Sequence, residues 1–413
     1  MGMNGPMITS PGDPPRYEVD QRALLDEARP EAVARQHSRG KRTARERIAM
    51  LTDTGTFTEL GALARPEPGP DGATVPGDGV VTGTALIDGR PAVVIATDFM
   101  AAGGSNGLLG NAKQKRCLEL AATRGIPVVM LLDGGGHRIH EGLDARDFAG
   151  GFDIQEMTTR LSGWVPMVAA LLGPGYGQPT LAAALCDYVV AVLGIATAGM
   201  APPALVRAAT GEEADVEALF SADAQAGFGT VDLAVDDEEE ALVALRIYLA
   251  TVPPHADAPL PTDPGQHAAQ AAARALETVV PSDLRLGYDM HDVVAGLVDE
   301  DSEVELKSGY ARNLITTLAT IGGHPIGIVA NQPLVLAGAL DAGAASKAAH
   351  LVSLCDAFGL PVLVLMTSPG SRSAPTRSAR DSPAPARDCR SRSAQPPSRR
   401  SPSWSARGTA AAT

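Results

Sequence analysis

Ile126-Pro-Val-Val-Met-Leu-Leu-Asp-Gly-Gly-Gly-His-Arg-Ile-His-Glu-Gly142 decides how the rest of the chain is read. The apolar run Val128–Leu132 predicts a strand buried on both faces. It ends in Asp133 and three glycines, and glycine lets a backbone turn sharply and approach a ligand closely. From Arg138 a helix is expected to open. Strand, glycine turn and helix start aim backbone N–H groups into one small volume, a place for negative charge, bound or developing in a reaction. The P-loop Lys and Ser/Thr are missing, and so is the glycine spacing of a dinucleotide fold. His137, His140 and Glu141 are metal-ligand types but not in zincin order. A purely structural tight turn stays open at this point.

Charge and composition narrow the classes. The net charge of −14 argues against general nucleic-acid binding, and 45% apolar residues suffice for a sizeable core. Cys117, Cys186, Cys355 and Cys389 are scattered without a CxxC pair, which points to a reducing cytoplasm and to neither zinc ribbon nor disulfide frame. Residues 1–16 are rich in Gly and Pro, have no signal-peptide core and are expected to be disordered. No apolar run approaches a membrane span.

Upstream of the opening stretch, Tyr17–His37 has helical spacing, and Thr43-Ala-Arg-Glu46 is a capping box for a helix to Met50. Arg39, Lys41, Arg42, Arg45 and Arg47 form a basic cluster, read either as phosphate ligands or as a solvated face. Val80–Leu86 and Ala92–Thr97 predict a hairpin around Asp88-Gly89. The loop Ala102–Gly110 leads to a helix over Asn111–Thr123. Downstream, Val165–Leu172 predicts a second buried strand, and Gly173–Pro179 a second glycine turn before a helix at Thr180–Leu185. Two such turns side by side can each offer an N–H to one oxygen. Asp187–Val192 reads as a strand, and Val206–Gly211 and Glu238–Leu249 as helices. A Pro-rich connection follows, with a short Ala-rich helix at Ala268–Thr278, before a new domain from Ser282.

An internal repeat reorganises this reading. Displaced by 234 residues, Gly89-Arg-Pro91 meets Gly323-His-Pro325, Gly104 meets Gly338, Lys113 meets Lys347, Gly125-Ile-Pro-Val128 meets Gly359-Leu-Pro-Val362, and Gly136 meets Gly370. The expected organisation is a first α/β domain over 17–255, a linker over 256–281 and a second, incomplete copy over 282–370. In the 43 residues after Gly370, 34 are Ser, Arg, Ala or Pro and none is Val, Leu, Ile, Phe or Met, so 371–413 is expected to lack a core. A genuine basic tail is one reading of it. A shifted reading frame is preferred, because a displaced frame across Ser403–Thr409 can encode a short strand and glycine turn.

The chain resembles the carboxyltransferase (beta) subunit of biotin-dependent acyl-CoA carboxylases, of the propionyl-CoA and acetyl-CoA type, from about Gln36 to Gly370. The residues that carry the likeness are Gly40–Ile48, Gly77–Gly83, Asp133–Gly142, Tyr288-Asp-Met290, Val329–Pro333 with Leu336-Ala-Gly338, and Cys355–Phe358. The resemblance implies a duplicated crotonase-like β-β-α superhelix. It implies carboxyl transfer from carboxybiotin, carried on a partner subunit, to the α-carbon of acetyl-CoA or propionyl-CoA. No metal is implied, nor an acid–base constellation. Partners would be acyl-CoA, a biotin carboxylase and carrier alpha subunit, and further copies of the chain in an oligomer. Backbone N–H groups at Gly135, Gly136, Gly177 and Gln178 would stabilise the thioester enolate, with Gly103, Gly104, His137, Arg138 and Tyr176 around the substrate. Departures stand at Gln178 and His137, where the family has small residues, and at Thr367, where it commonly has Asp. With the second copy incomplete, impaired activity is expected. A non-catalytic CoA-binding remnant and a biotin-coupled decarboxylase or transcarboxylase subunit are the alternatives.

Overall fold

The computed structural model describes residues 15–64, 66, 75–138, 152–213, 215–262, 276, 279–283 and 286–367. The expectations for 1–14, for 139–142, for the Ala-rich helix, for the turn at Gly370 and for the 371–413 tail lie outside these residues.

Strands β1 (Thr58–Glu59), β2 (Val80–Ile87), β3 (Arg90–Thr97), β4 (Val128–Gly134), β5 (Met167–Tyr176), β6 (Tyr188–Val192), β7 (Thr197–Gly199) and β8 (Leu233–Val235) form one sheet. Its order is β1-β2-β3-β4-β5-β6-β8, with β7 paired to the end of β5. β3 through β6 run parallel, and every residue of β4 is buried. Alternate side chains leave opposite faces. Val128, Met130, Met167 and Ala169 pack with Cys117 and Leu118 of the helix Leu108–Arg124. Val129, Leu131, Val168 and Ala170 share a core with Ile48 and Leu51, with Leu242 and Leu245, and with Leu318, Leu351 and Phe358 of the second copy.

The second sheet has the order β12-β11-β10-β9, from β9 (Val304–Glu305), β10 (Leu314–Ile321), β11 (His324–Asn331) and β12 (Val362–Leu365). Its strands β10 to β12 repeat β2 to β4 residue by residue. The hairpin pair Val80↔Thr97 has its counterpart in Leu314↔Asn331, and the parallel pair Val93↔Val128 in Gly327↔Val362. The helix Leu108–Arg124 corresponds to Ala342–Phe358, and both end on a left-handed glycine, Gly125 and Gly359. Lys113 donates to the carbonyls of Gly77 and Val80, and Lys347 to those of Tyr310 and Leu314. The left-handed loops Ala102–Gly104 and Leu336–Gly338 match as well.

Two boundaries differ from expectation. Tyr17–His37 is not one helix: it breaks into helices Arg16–Arg22 and Pro30–His37, with a 3-10 turn at Asp26–Ala28 between them. Pro30 has no N–H to donate, so it starts a helix and cannot continue one. The second strand does not stop at Leu172 but continues to Tyr176, because Gly175 pairs with Gly134 on one side and with Ala198 on the other. Among the described residues no helix is long and apolar enough to cross a membrane.

Candidate active site

The first turn leaves β4 at Gly134. A Cβ there would lie 2.5 Å from the Gly104 carbonyl oxygen, and one on Gly104 (φ +67°) would lie 2.5 Å from that of Asp133. The two backbones are in contact, so both positions require glycine. Gly135 N–H donates to the Gly103 carbonyl (3.0 Å), and Asn106 N–H donates to that of Gly136 (3.0 Å). The loop after β3 is thus stitched along the turn.

The second turn leaves β5 at Tyr176, whose ring meets Phe220 edge-on at 5.8 Å. Gly177 takes φ +73° and precedes the helix Gln178–Ala184. Its N–H donates to the Gly199 carbonyl (2.9 Å), and Thr180 Oγ1 accepts from Gly199 N–H (2.9 Å).

The turns converge. A Cβ on Gly136 would stand 2.9 Å from the Tyr176 carbonyl oxygen and 3.8 Å from the Gln178 backbone nitrogen. Of the four N–H groups singled out, those of Gly135 and Gly177 are committed to carbonyls. This corrects the reading of them as donors to substrate: buried backbone donors are paired wherever the chain can reach an acceptor. Gly136 and Gln178 N–H meet no acceptor among the described residues.

Among the surrounding residues, Gly103 is exposed and Gly104 is packed beneath the turn. His137 is half-buried, and its backbone pairs with Asn106. Arg138 is not a substrate ligand in this arrangement. Its Nη1 lies 2.5 Å from Asp78 Oδ1 and its Nη2 donates to the Ser105 carbonyl (3.1 Å), with the side chain only 5% exposed. Asp78 also accepts from Gly110 N–H (2.6 Å), so the ion pair locks the loop Ser105–Gly110.

The basic cluster divides: Arg39 and Arg42 are exposed, while the other three turn inward to acidic partners. Lys41 and Arg47 are buried against Asp133, whose second oxygen accepts from Arg47 Nη1 (2.8 Å) and Gln36 Nε2 (3.1 Å). Arg47 also binds Glu238 through Nη2 (2.5 Å) and Nε (2.9 Å), and the Leu172 carbonyl (3.1 Å). Arg45 pairs with Glu59 (2.8 Å), and Arg39 lies over the Phe99 ring. Asp133 and Leu172 stand just before the two turns on β4 and β5, so one arginine ties together the strands that carry them. Sequence reasoning missed Glu238 and Gln36 as members of this cluster. Only the lone acidic run at the start of Glu238–Thr251 hinted at Glu238.

Comparison with known proteins bears on what such a site does. The carboxyl transferase domain model matches residues 35–375. The methylmalonyl-CoA carboxyltransferase 12S subunit of Propionibacterium freudenreichii subsp. shermanii is 35% identical over 85% of this chain and 67% of its own length. The propionyl-CoA carboxylase beta chain of Saccharopolyspora erythraea is 36% identical over 82% of this chain and 64% of its own. A transcarboxylase 12S structure with hydrolysed methylmalonyl-CoA bound superposes with a TM-score of 0.77 at 34% identity, covering 86% of this chain and 70% of that one. The chain therefore spans about two thirds of the length of these relatives. Duplicated crotonase-type units, paired glycine turns and matched sequence agree: this chain belongs to the carboxyl transferase domain family.

Proposed function

We propose that the chain transfers a carboxyl group between a biotin carrier and the α-carbon of a short acyl-CoA, acetyl-CoA or propionyl-CoA. The observation that carries this reading is the pair of unspent N–H groups, Gly136 and Gln178, facing one small volume from two different strands. Carboxylation at an α-carbon passes through a thioester enolate, whose oxygen gains charge as the α-proton leaves. Fixed N–H donors aimed at that oxygen are worth more in the transition state than in the ground state. The described turns hold no Ser–His–Asp arrangement, and stabilising an enolate needs none.

Carboxybiotin, brought by a carrier subunit, would supply the carboxyl group. The second copy is the natural place to receive it: Leu336–Gly338 and the Asn331–Thr367 backbone clamp reproduce the framework of the first turn. A biotin carboxylase and carrier alpha subunit and further copies of this chain are the partners that fit. The test is fixation of labelled bicarbonate by the full chain with an alpha subunit, ATP and either acyl-CoA. Acid-stable label in the acyl-CoA is expected. No turnover of either substrate, with CoA binding retained, would show instead a non-catalytic CoA-binding protein.

A further inference from the structure

One residue outside the glycine turns is hydrogen-bonded to both of them. Asn106 lies along the first turn by its backbone: its N–H donates to the Gly136 carbonyl (3.0 Å), and its carbonyl accepts from Arg138 N–H (2.8 Å). It reaches the second turn by its side chain, where Nδ2 donates to the Gln178 side-chain oxygen (2.7 Å). Asn106 Oδ1 accepts from Gln114 Nε2 (3.2 Å) on the helix Leu108–Arg124, which fixes the face the amide presents. Asn106 and Gln114 are buried, where a broken hydrogen bond leaves its partners unsatisfied. The base of this connection is rigid. The Arg138–Asp78 pair locks the loop Ser105–Gly110, and the helix that carries Gln114 packs on the sheet through Cys117 and Leu118. The far end is a seven-residue helix that starts at Gln178, behind the left-handed Gly177. So short a helix takes its position from what it touches.

We propose that Asn106 is a positioning residue for carboxyl transfer, its amide acting as a strut that sets the separation between the Gly136 and Gln178 N–H groups. The inference rests on the enolate reading of those two donors given above. Asn106 touches no reacting atom and acts through the Gln178 side chain. Donors stabilise a developing charge only from hydrogen-bond distance of the charged oxygen, and a misplacement of about 1 Å costs up to about 100-fold in rate. The long side chain at position 178 thereby has a use. A smaller residue there leaves the second donor without this tie to the loop along the first turn.

Steady-state fixation of labelled bicarbonate by the full chain with an alpha subunit, over a range of propionyl-CoA concentrations, tests this. Asn106→Leu keeps the bulk and the backbone bonds and removes the amide. Gln178→Met keeps the length and removes the acceptor at the other end. Each is expected to lower kcat by about 10-fold or more, with KM for propionyl-CoA within about 2-fold and a cooperative thermal transition retained. That split marks an interaction that counts only in the transition state. The double variant should be no slower than the slower single one, because both substitutions cut the same connection. A merely structural role would raise KM as kcat falls and would multiply the two losses. Either of those results, or a kcat within about 2-fold of the unmodified chain in both single variants, overturns the proposal. Should Asn106→Leu not fold, Gln178→Met decides by the same split of kcat from KM. No label fixed by the unmodified chain removes the enolate reading itself, and this inference falls with it.

Discussion

Replacing Arg47 by Met tests whether the two glycine turns depend on one buried charge network. The network holds two cations and two anions, Lys41 and Arg47 against Asp133 and Glu238, with side chains no more than 5% exposed. Charge balances, and Arg47 makes four of its contacts: one to Asp133, two to Glu238 and one to the Leu172 carbonyl. Arg47→Met leaves one negative charge uncompensated out of water. Removing one partner of a buried pair costs about 3–5 kcal/mol, against the 0–1 kcal/mol typical of exposed pairs. Urea unfolding followed by circular dichroism reads this directly. Adding Glu238→Gln restores neutrality and should recover part of the loss, because neighbours in one network are not additive. Since the same arginine joins β4 to β5, kcat should fall more than the affinity for acyl-CoA. A single-variant cost below about 1 kcal/mol, the exposed-pair scale, or a double variant less stable than the single one, would show that Arg47 is not the tie between the strands.

Three further outcomes follow from the structure. Gly136→Ala places a methyl group 2.9 Å from the Tyr176 carbonyl oxygen, which must move the turns apart; steady-state kinetics should show kcat reduced about 100-fold, the loss of one donor, with the fold retained. His291 is pushed up from 6.5 to about 9, chiefly by its hydrogen bond to Glu305 and then by Asp289. A raised histidine stabilises fully below about pH 6.5, and that contribution fades as pH rises through 9; with the ring half exposed it should amount to under about 1 kcal/mol, seen as a gap between wild type and His291→Gln that closes from pH 6 to pH 10. Burial pushes Asp187 up to about 7, against the pull of the Met167 N–H at 2.8 Å. Its protonated form is the favoured one in the fold, so stability is highest below the ordinary carboxylate range, declines as pH climbs to about 7 and levels off beyond it; Asp187→Asn keeps the acceptor and should raise stability at pH 8 by roughly 1–3 kcal/mol, with no gain at pH 4, by thermal unfolding.

The framework of this fold was legible because it rests on local signals. The repeat displaced by 234 residues aligned both hairpins, both long helices and both buried lysines, and the structure places each pair at equivalent points of its sheet. The capping box at Thr43 formed as written, with Glu46 and Thr43 exchanging hydrogen bonds. The roles of charged residues were not legible. Arg47 and Glu238 are 191 residues apart, and nothing in the local sequence around either announces the other. A run of basic residues in an acidic chain reads as a surface until its partners are found. Gly135 and Gly177 fail as donors for the same reason. A glycine turn shows that N–H groups are exposed to capture, but only the fold shows that the Gly103 and Gly199 carbonyls have captured them.

Two departures from the family pattern, Thr367 and Gln178, find a common physical account. In the first copy, Asp133 N–H donates to Thr97 Oγ1 (2.5 Å), and its carboxylate needs Lys41, Arg47 and Gln36 to be buried at all. The second copy has Asn331 where the first has Thr97. That amide accepts from Thr367 N–H (2.8 Å) and donates to the Thr367 carbonyl (3.1 Å). An asparagine that grips the backbone at both ends replaces the hydroxyl, and a threonine in place of the aspartate then requires no buried cation. At the other departure, Asn106 plays the corresponding part for Gln178 and draws its side chain out of the turn. In each case an amide, which both donates and accepts, absorbs a substitution that charge or bulk would otherwise make costly. Asn331→Ala should therefore loosen the end of β12 more than Thr97→Ala loosens β4, since the β4 position retains its ion pairs and the β12 position has only the amide. Amide hydrogen exchange at residues 363–367 and 129–133 compares the two, and equal protection in both variants would show that the clamp carries no such burden.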